Sequence, residues 1–229
     1  MAVLNLRSLA DGRILRGSQP FGMDAAETAA FLATHGIQTV VDLRSGYERA
    51  IAPWQLANSS ASNGTVELVE NPLDPRTASA GLSSIHTAED LGELYLGWVR
   101  TRPDWVAEAL RPAAQGKRTL IHCSLGKDRT GVVSAVALIA NGTDRDAVVA
   151  DYAASTAALP FMLETMAATW RLAIPDVPEQ AFSPSLMLLQ SPAAAMEYFL
   201  DGFAREFGNA ADYLRDAGLN GAELDGLRR

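Results

Sequence analysis

The most constraining feature of this sequence is one uninterrupted stretch, Thr119-Leu-Ile-His-Cys-Ser-Leu-Gly-Lys-Asp-Arg-Thr-Gly131, which runs directly into the apolar Val132-Val-Ser-Ala-Val-Ala-Leu-Ile-Ala140. The pattern reads as a short buried strand, a tight loop containing Gly126, and a helix apolar on all sides. A buried strand followed by a buried helix needs cover on both faces of its sheet, the condition under which parallel sheets form. Arg13 to Arg16, Ile37 to Asp42 and Val66 to Val69 read as further strands separated by helical patterns. The expected fold is therefore α/β, a mainly parallel central sheet of four to five strands flanked by helices. No period recurs along the chain, and residues 1–229 read as a single domain.

Helix boundaries have specific signals. Asp24 with Glu27 predicts a capping box opening a helix that stops at Gly36; Thr87 with Asp90 predicts another, carrying Leu91, Leu94, Tyr95, Trp98 and Val99 on one face and closed by Pro103. Thr143 with Asp146 predicts a cap for a helix reaching about Ala154. Pro160 opens one with Met162, Met166 and Trp170 on a single face, read as core with a helical lid over 143–173 as the alternative. Ser191-Pro192 starts a helix with Met196, Phe199, Leu200, Phe203 and Phe207 inward, ending at Gly208, so 191–229 is expected to be helical. Asn58 to Thr65 and Asn71 to Ser84 read as loops.

Composition narrows the function classes. The 19 Lys and Arg against 27 Asp and Glu give a net charge of −8, so no long-range field draws in nucleic acid or an anionic membrane. The apolar run Val132 to Ala140 is far short of the roughly 20 residues a membrane-spanning helix needs. With Cys123 the sole cysteine and no recognisable export signal, no intrachain disulfide forms and the cytoplasm is the expected setting. His35 and His86 have no partner at metal-ligand spacing, and no metal or other cofactor is expected.

Any anion site must then be built locally, and the loop 123–129 is suited to it. Backbone N–H groups of Ser124, Leu125, Gly126 and Lys127, together with a helix N-terminus, can bind a phosphate-sized dianion without net positive charge on the protein. The same dipoles, with Arg129, favour an ionised Cys123 sulfur, which makes it a nucleophile. Arg129 presents a planar fork for two phosphoryl oxygens, and Thr130 is placed to hydrogen-bond the sulfur. Gly126 turns the backbone, and Gly131 lets the helix approach the sheet. His122 is expected to order the loop rather than act as a base. A leaving oxygen needs a proton; Asp128 inside the loop, Asp74 in Asn71-Pro-Leu-Asp-Pro75 and Asp42 at a strand end are the alternatives. Arg44, just past Asp42, is expected at the rim, since ligands gather at the carboxyl ends of parallel strands. Asp42 could otherwise anchor Arg129 or Arg16.

The fuller string His122-Cys-Ser-Leu-Gly-Lys-Asp-Arg-Thr-Gly131 resembles the signature of the cysteine-dependent phosphatases, in particular the bacterial protein tyrosine phosphatases of the lipid-phosphatase-like, secreted mycobacterial type. Asn5-Leu-Arg7, Gly12 to Ser18, Val40 to Ser45, Ala150-Asp-Tyr152 and Asp212 to Gly218 are similar to the same family. The resemblance implies a phosphocysteine intermediate on Cys123, hydrolysed by water. It favours Asp128 as the acid and implies substrates among phosphotyrosine, phosphoserine or phosphothreonine proteins and phosphoinositides. Lys127, one of only two lysines in the chain, would be a second cation at the mouth for an extra substrate phosphate. A binding module that holds phosphorylated ligands without turnover and a sulfur-transfer enzyme are the alternatives.

Overall fold

The strand that ends at His122 lies in the middle of the sheet, which places the loop beginning at Cys123 at the centre of the sheet's carboxyl edge. The computed structural model describes residues 2–9, 12–56, 60–61, 64–75 and 84–228. In chain order the strands are β1 (Arg7–Leu9), β2 (Ile14–Gly17), β3 (Thr39–Asp42), β4 (Ser60–Ala61), β5 (Gly64–Thr65), β6 (Glu67–Glu70) and β7 (Thr119–His122). Five of them form one sheet in the order β1-β2-β7-β3-β6. Pairings of β7 with β2 and β3, and of β3 with β6, are parallel, while β1 adds antiparallel at the edge. The short β4–β5 pair lies within the stretch read as a loop; residues 58–59 and 62–63 of that stretch, and 76–83 of the second, lie outside the described residues.

Side-chain alternation divides the sheet between two cores. Leu15, Leu120 and Val40 stand side by side in register and pack with Leu32 of α1 (Ala25–Thr34) and with Ile37, which lies between α1 and β3. One residue along, Ile121 and Val41 face the opposite, larger core, built from α3 (Ala88–Thr101), α4 (Pro103–Ala114), α5 (Asp128–Ala140) and α8 (Ala193–Phe207). Both expected capping boxes, at Asp24 and Thr87, are formed. A third, Ser45 with Glu48, opens α2 (Gly46–Ile51). The remaining helices are α6 (Arg145–Ala153), α7 (Leu159–Ala173), α9 (Ala210–Asp216) and α10 (Gly221–Leu227). None is long and apolar enough to cross a membrane among the described residues.

Several local readings are corrected. Pro103 does not merely end α3; it occupies the first position of α4, where its missing N–H costs nothing. The residue capping α6 is Asp144, with no side-chain bond, rather than Thr143. β1 carries only three residues and no alternation by which to read it. Gly131 opens space for a helix instead of the sheet, since a Cβ there would meet the Tyr152 ring of α6 at 3.0 Å.

Candidate active site

The loop from Cys123 to Lys127 links the end of β7 to the N-terminus of α5, so its backbone and the first turn of that helix converge. Gly126 sits at φ +64, and a Cβ there would lie 2.2 Å from the Gly17 carbonyl oxygen of β2. Glycine is required by the neighbouring strand as well as by the turn. Cys123 and Ser124 are buried, and Leu125 turns outward from the loop into a satellite apolar cluster with Phe21, Leu189 and Leu159, Met162, Leu163 and Met166 of α7. The methionine face of α7 thus lies against the loop itself, separate from the larger core.

Arg129 is held by a partner that the sequence reading missed. Its Nη1 and Nη2 bond the two carboxylate oxygens of Glu48 at 2.7 and 2.5 Å, and Nη1 also donates to the carbonyls of Leu73 and Leu43 at 3.0 and 3.3 Å. Glu48 further accepts from Ser124 Oγ at 2.6 Å and from the Ser45 N–H at 2.8 Å. Burial works against the charge on Glu48, but Arg129 and these donors outweigh it and hold its pKa down to about 2. For Arg129, Glu48 likewise overcomes burial and raises the pKa. Among the described residues no protein acceptor takes the Nε–H of Arg129 or its second Nη2–H, which share the remaining edge of the guanidinium. That edge can bind two oxygens of one phosphoryl group. The only sequence signal for Glu48 was its place three residues after Ser45, the spacing of a capping box.

Asp128 begins α5, and its side chain is 20% exposed. Oδ1 accepts from the Tyr95 hydroxyl at 2.5 Å and from Lys127 Nζ at 2.7 Å. Tyr95 in turn lies 2.7 Å from the Tyr152 hydroxyl. Burial, with Asp128 adding to it, pushes the pKa of both phenols up, so each remains a neutral donor. Lys127 is fully buried; besides Asp128, Nζ bonds the carbonyls of Leu188, at 3.0 Å, and Gln190. All three ammonium protons are thereby engaged, and in this conformation the side chain is not a cation at the mouth.

The supporting residues divide. Asp42 anchors neither Arg129 nor Arg16. It takes three bonds from the Arg44 guanidinium at 2.7 to 3.2 Å. Burial opposes its ionisation, while His122 and Arg44 prevail and lower its pKa, which removes it as a proton donor. Arg44, with Nη1 also on Gln19 Oε1 and the Ala52 carbonyl, is enclosed beneath the rim instead of lining it. His122 is fully buried, its Nδ1 3.2 Å from the Cys123 carbonyl oxygen and its ring 4.9 Å edge-on to Trp54. Burial is the main reason that its pKa falls to about 4. Asp74 directly follows Leu73, the carbonyl that receives Arg129, so it stays near the cradle. The Thr130 hydroxyl is enclosed and makes no hydrogen bond, so the expected bond to the sulfur is not formed. Among the described residues no three His, Cys, Asp or Glu side chains gather to hold a metal ion.

A buried sulfur in the loop that leads into a helix N-terminus, within electrostatic reach of the Arg129 guanidinium, could serve nucleophilic displacement at phosphorus. Comparison with known proteins agrees with that chemistry. The profile of the tyrosine phosphatase family matches residues 2–229. The chain is similar to the triple specificity protein phosphatase PtpB of Mycobacterium tuberculosis, 33% identical over 129 residues, covering 50% of this chain and 44% of that protein. A putative tyrosine-protein phosphatase of Cupriavidus necator is 27% identical over 217 residues, covering 92% of this chain and 76% of the relative. A tyrosine-protein phosphatase of Nostoc commune is 31% identical over 129 residues, covering 54% and 42%. The matched stretch spans less than half the length of the mycobacterial and Nostoc proteins.

Proposed function

Because the chain belongs to the tyrosine phosphatase family, we propose that it hydrolyses phosphotyrosine in proteins, and phosphoserine or phosphothreonine as further substrates, through a phosphocysteine intermediate. The Cys123 thiolate attacks phosphorus; the S–P bond forms as the P–O ester bond breaks. The amides of Ser124, Leu125, Gly126 and Lys127 and the Nε/Nη2 edge of Arg129 hold the equatorial oxygens. Asp128 gives its proton to the leaving oxygen, from Oδ2, because Oδ1 is already bonded by Tyr95 and Lys127. Water then attacks the phosphocysteine and passes a proton to Asp128, and phosphate leaves with regeneration of the thiolate. No step uses a metal.

The observation that supports this reading most is the convergence of Cys123, the α5 N-terminus and an Arg129 oriented by Glu48 with one edge unused. The inositol-lipid alternative rested on Lys127 as a second cation, and it loses that support while Nζ is bonded to Leu188 and Gln190. A phosphatase-shaped adaptor without turnover is distinguished by assay. Para-nitrophenyl phosphate should be turned over catalytically, with inhibition by vanadate, and Cys123→Ser should lower kcat by at least about a thousandfold. Asp128→Asn should flatten the basic limb of the kcat profile, whereas Asp74→Asn should leave it in place; the reverse result would transfer the acid role to Asp74. An inert wild-type protein would overturn the proposal.

A further inference from the structure

Against the loop's carbonyl groups lies a set of side chains that the reaction scheme does not use. Asn5 is the only non-glycine residue with positive φ among the described residues, at +53. Side chains disfavour this backbone conformation, and strain of this kind persists where the surroundings demand it. Its Nδ2 donates to the carbonyls of Leu125, at 3.2 Å, and Gly126, at 3.1 Å, as well as to Ser155 Oγ at 3.1 Å. Arg16, fully buried, adds a bond from Nη2 to the Gly126 carbonyl at 2.9 Å. The Gln19 N–H donates to the Ser124 carbonyl at 3.1 Å.

Three consecutive loop carbonyls are therefore held from outside. In a planar trans peptide the C=O of one residue and the N–H of the next point in opposite directions. Fixing the carbonyls of Ser124, Leu125 and Gly126 outward fixes the N–H groups of Leu125, Gly126 and Lys127 toward the cradle. The clamp is itself braced: Arg7 Nη1 donates to Asn5 Oδ1 at 2.6 Å, and Arg7 and Arg16 each bond one carboxylate oxygen of Asp151 on α6.

We propose that Asn5 is a positioning residue for the phosphatase reaction, its carboxamide donating to the Leu125 and Gly126 carbonyls so that the next two amides are aligned on the phosphoryl group before substrate arrives. Such prealignment lowers the reorganisation needed at the transition state. The inference rests on the proposed phosphatase activity and adds a residue to it that touches neither substrate nor sulfur.

Asn5→Gly is the decisive variant, because glycine adopts the same φ without strain and removes only the carboxamide. The expected result is a vanadate inhibition constant raised about tenfold to a hundredfold and a lower kcat, with a smaller change in the inhibition constant of inorganic phosphate. Asn5→Asp, nearly isosteric but lacking the donor, should behave alike, and serves alone if Asn5→Gly does not fold. Asn209→Ala, which removes the cap of α9 far from the loop, reports generic destabilisation and should leave vanadate inhibition unchanged. The proposal is overturned if the folded Asn5 variants lose thermal stability while vanadate inhibition and kcat stay at wild-type values, or if Asn209→Ala shifts vanadate inhibition equally. If wild-type protein neither turns over a phosphomonoester nor binds vanadate, the phosphatase reading itself has failed; if wild type does both and the Asn5 variants match it, only the clamp has.

Discussion

Glu48 and Arg129 form the most consequential pair of side chains in the molecule, because the carboxylate settles which edge of the guanidinium is left for substrate. Both are nearly enclosed, so the pair is judged as a buried one, where removal of one charge strands the other. Glu48→Gln should destabilise the fold by about 3 kcal/mol and lower kcat/KM for para-nitrophenyl phosphate at least about tenfold. Chemical denaturation and steady-state kinetics on the same preparation check both; unchanged kinetics would mean that Arg129 orients itself without help. Cys123 and Arg129 could be singled out from spacing because they share one contiguous segment, whereas Asp128 was favoured over Asp74 and Asp42 only by resemblance. Glu48 could not be singled out, since it arrives from α2, after the neighbouring strand β3, far from the loop in sequence, and its local pattern had a sufficient alternative explanation as a helix cap. Asn5 was likewise visible only as part of a resemblance, with no role attached until its amide was placed beneath the loop.

At the level of elements, the connection between α7 and the loop is made by one side chain. Leu125 is buried against four residues of α7, and this cluster is separate from the larger core that holds α3, α4, α5 and α8. Leu125→Ala should cost about 2 to 4 kcal/mol, the usual range for truncating an enclosed leucine. The loss should be local: amide exchange would accelerate across 159–173 while protection in β7 and α5 is retained. Uniform acceleration throughout the protein would show that α7 is not a separate unit. Capped helices were legible because a capping box is a four-residue event; Asp24 with Glu27 and Thr87 with Asp90 both form as read. Pro103 does follow the end of α3, as read, but its second role at the start of α4 was not legible, because proline is compatible with both and only packing of Trp105, Val106 and Leu110 reveals the second helix.

Across the whole molecule, buried ionisable groups couple stability to pH. His122 is neutral and enclosed, with its pKa near 4 in the folded state against an ordinary 6.5. Between those values the unfolded chain binds a proton that the folded chain refuses, so stability is full above about pH 6.5 and declines as pH falls toward 4, by on the order of 3 kcal/mol. Glu48, depressed from 4.5 to about 2, extends the decline in the same direction at lower pH. Melting temperature should therefore begin to drop near pH 6.5, and His122→Gln should delay that onset to about pH 5; a wild-type profile flat from pH 7 to 5 would contradict it. The α/β class, the parallel strands and the position of the loop 123–129 between strand and helix follow from the sequence alone, because each depends on residues adjacent in the chain and on short-range periodicity. The fate of the charged groups was decided by tertiary structure: Lys127 is taken up by Leu188 and Gln190, Arg44 by Asp42, Arg16 by Asp151, and Arg129 by Glu48. A charge acts over a few ångströms with whichever partner the fold delivers, and, Asp42 beside Arg44 apart, these partners come from distant parts of the chain, where spacing carries no information.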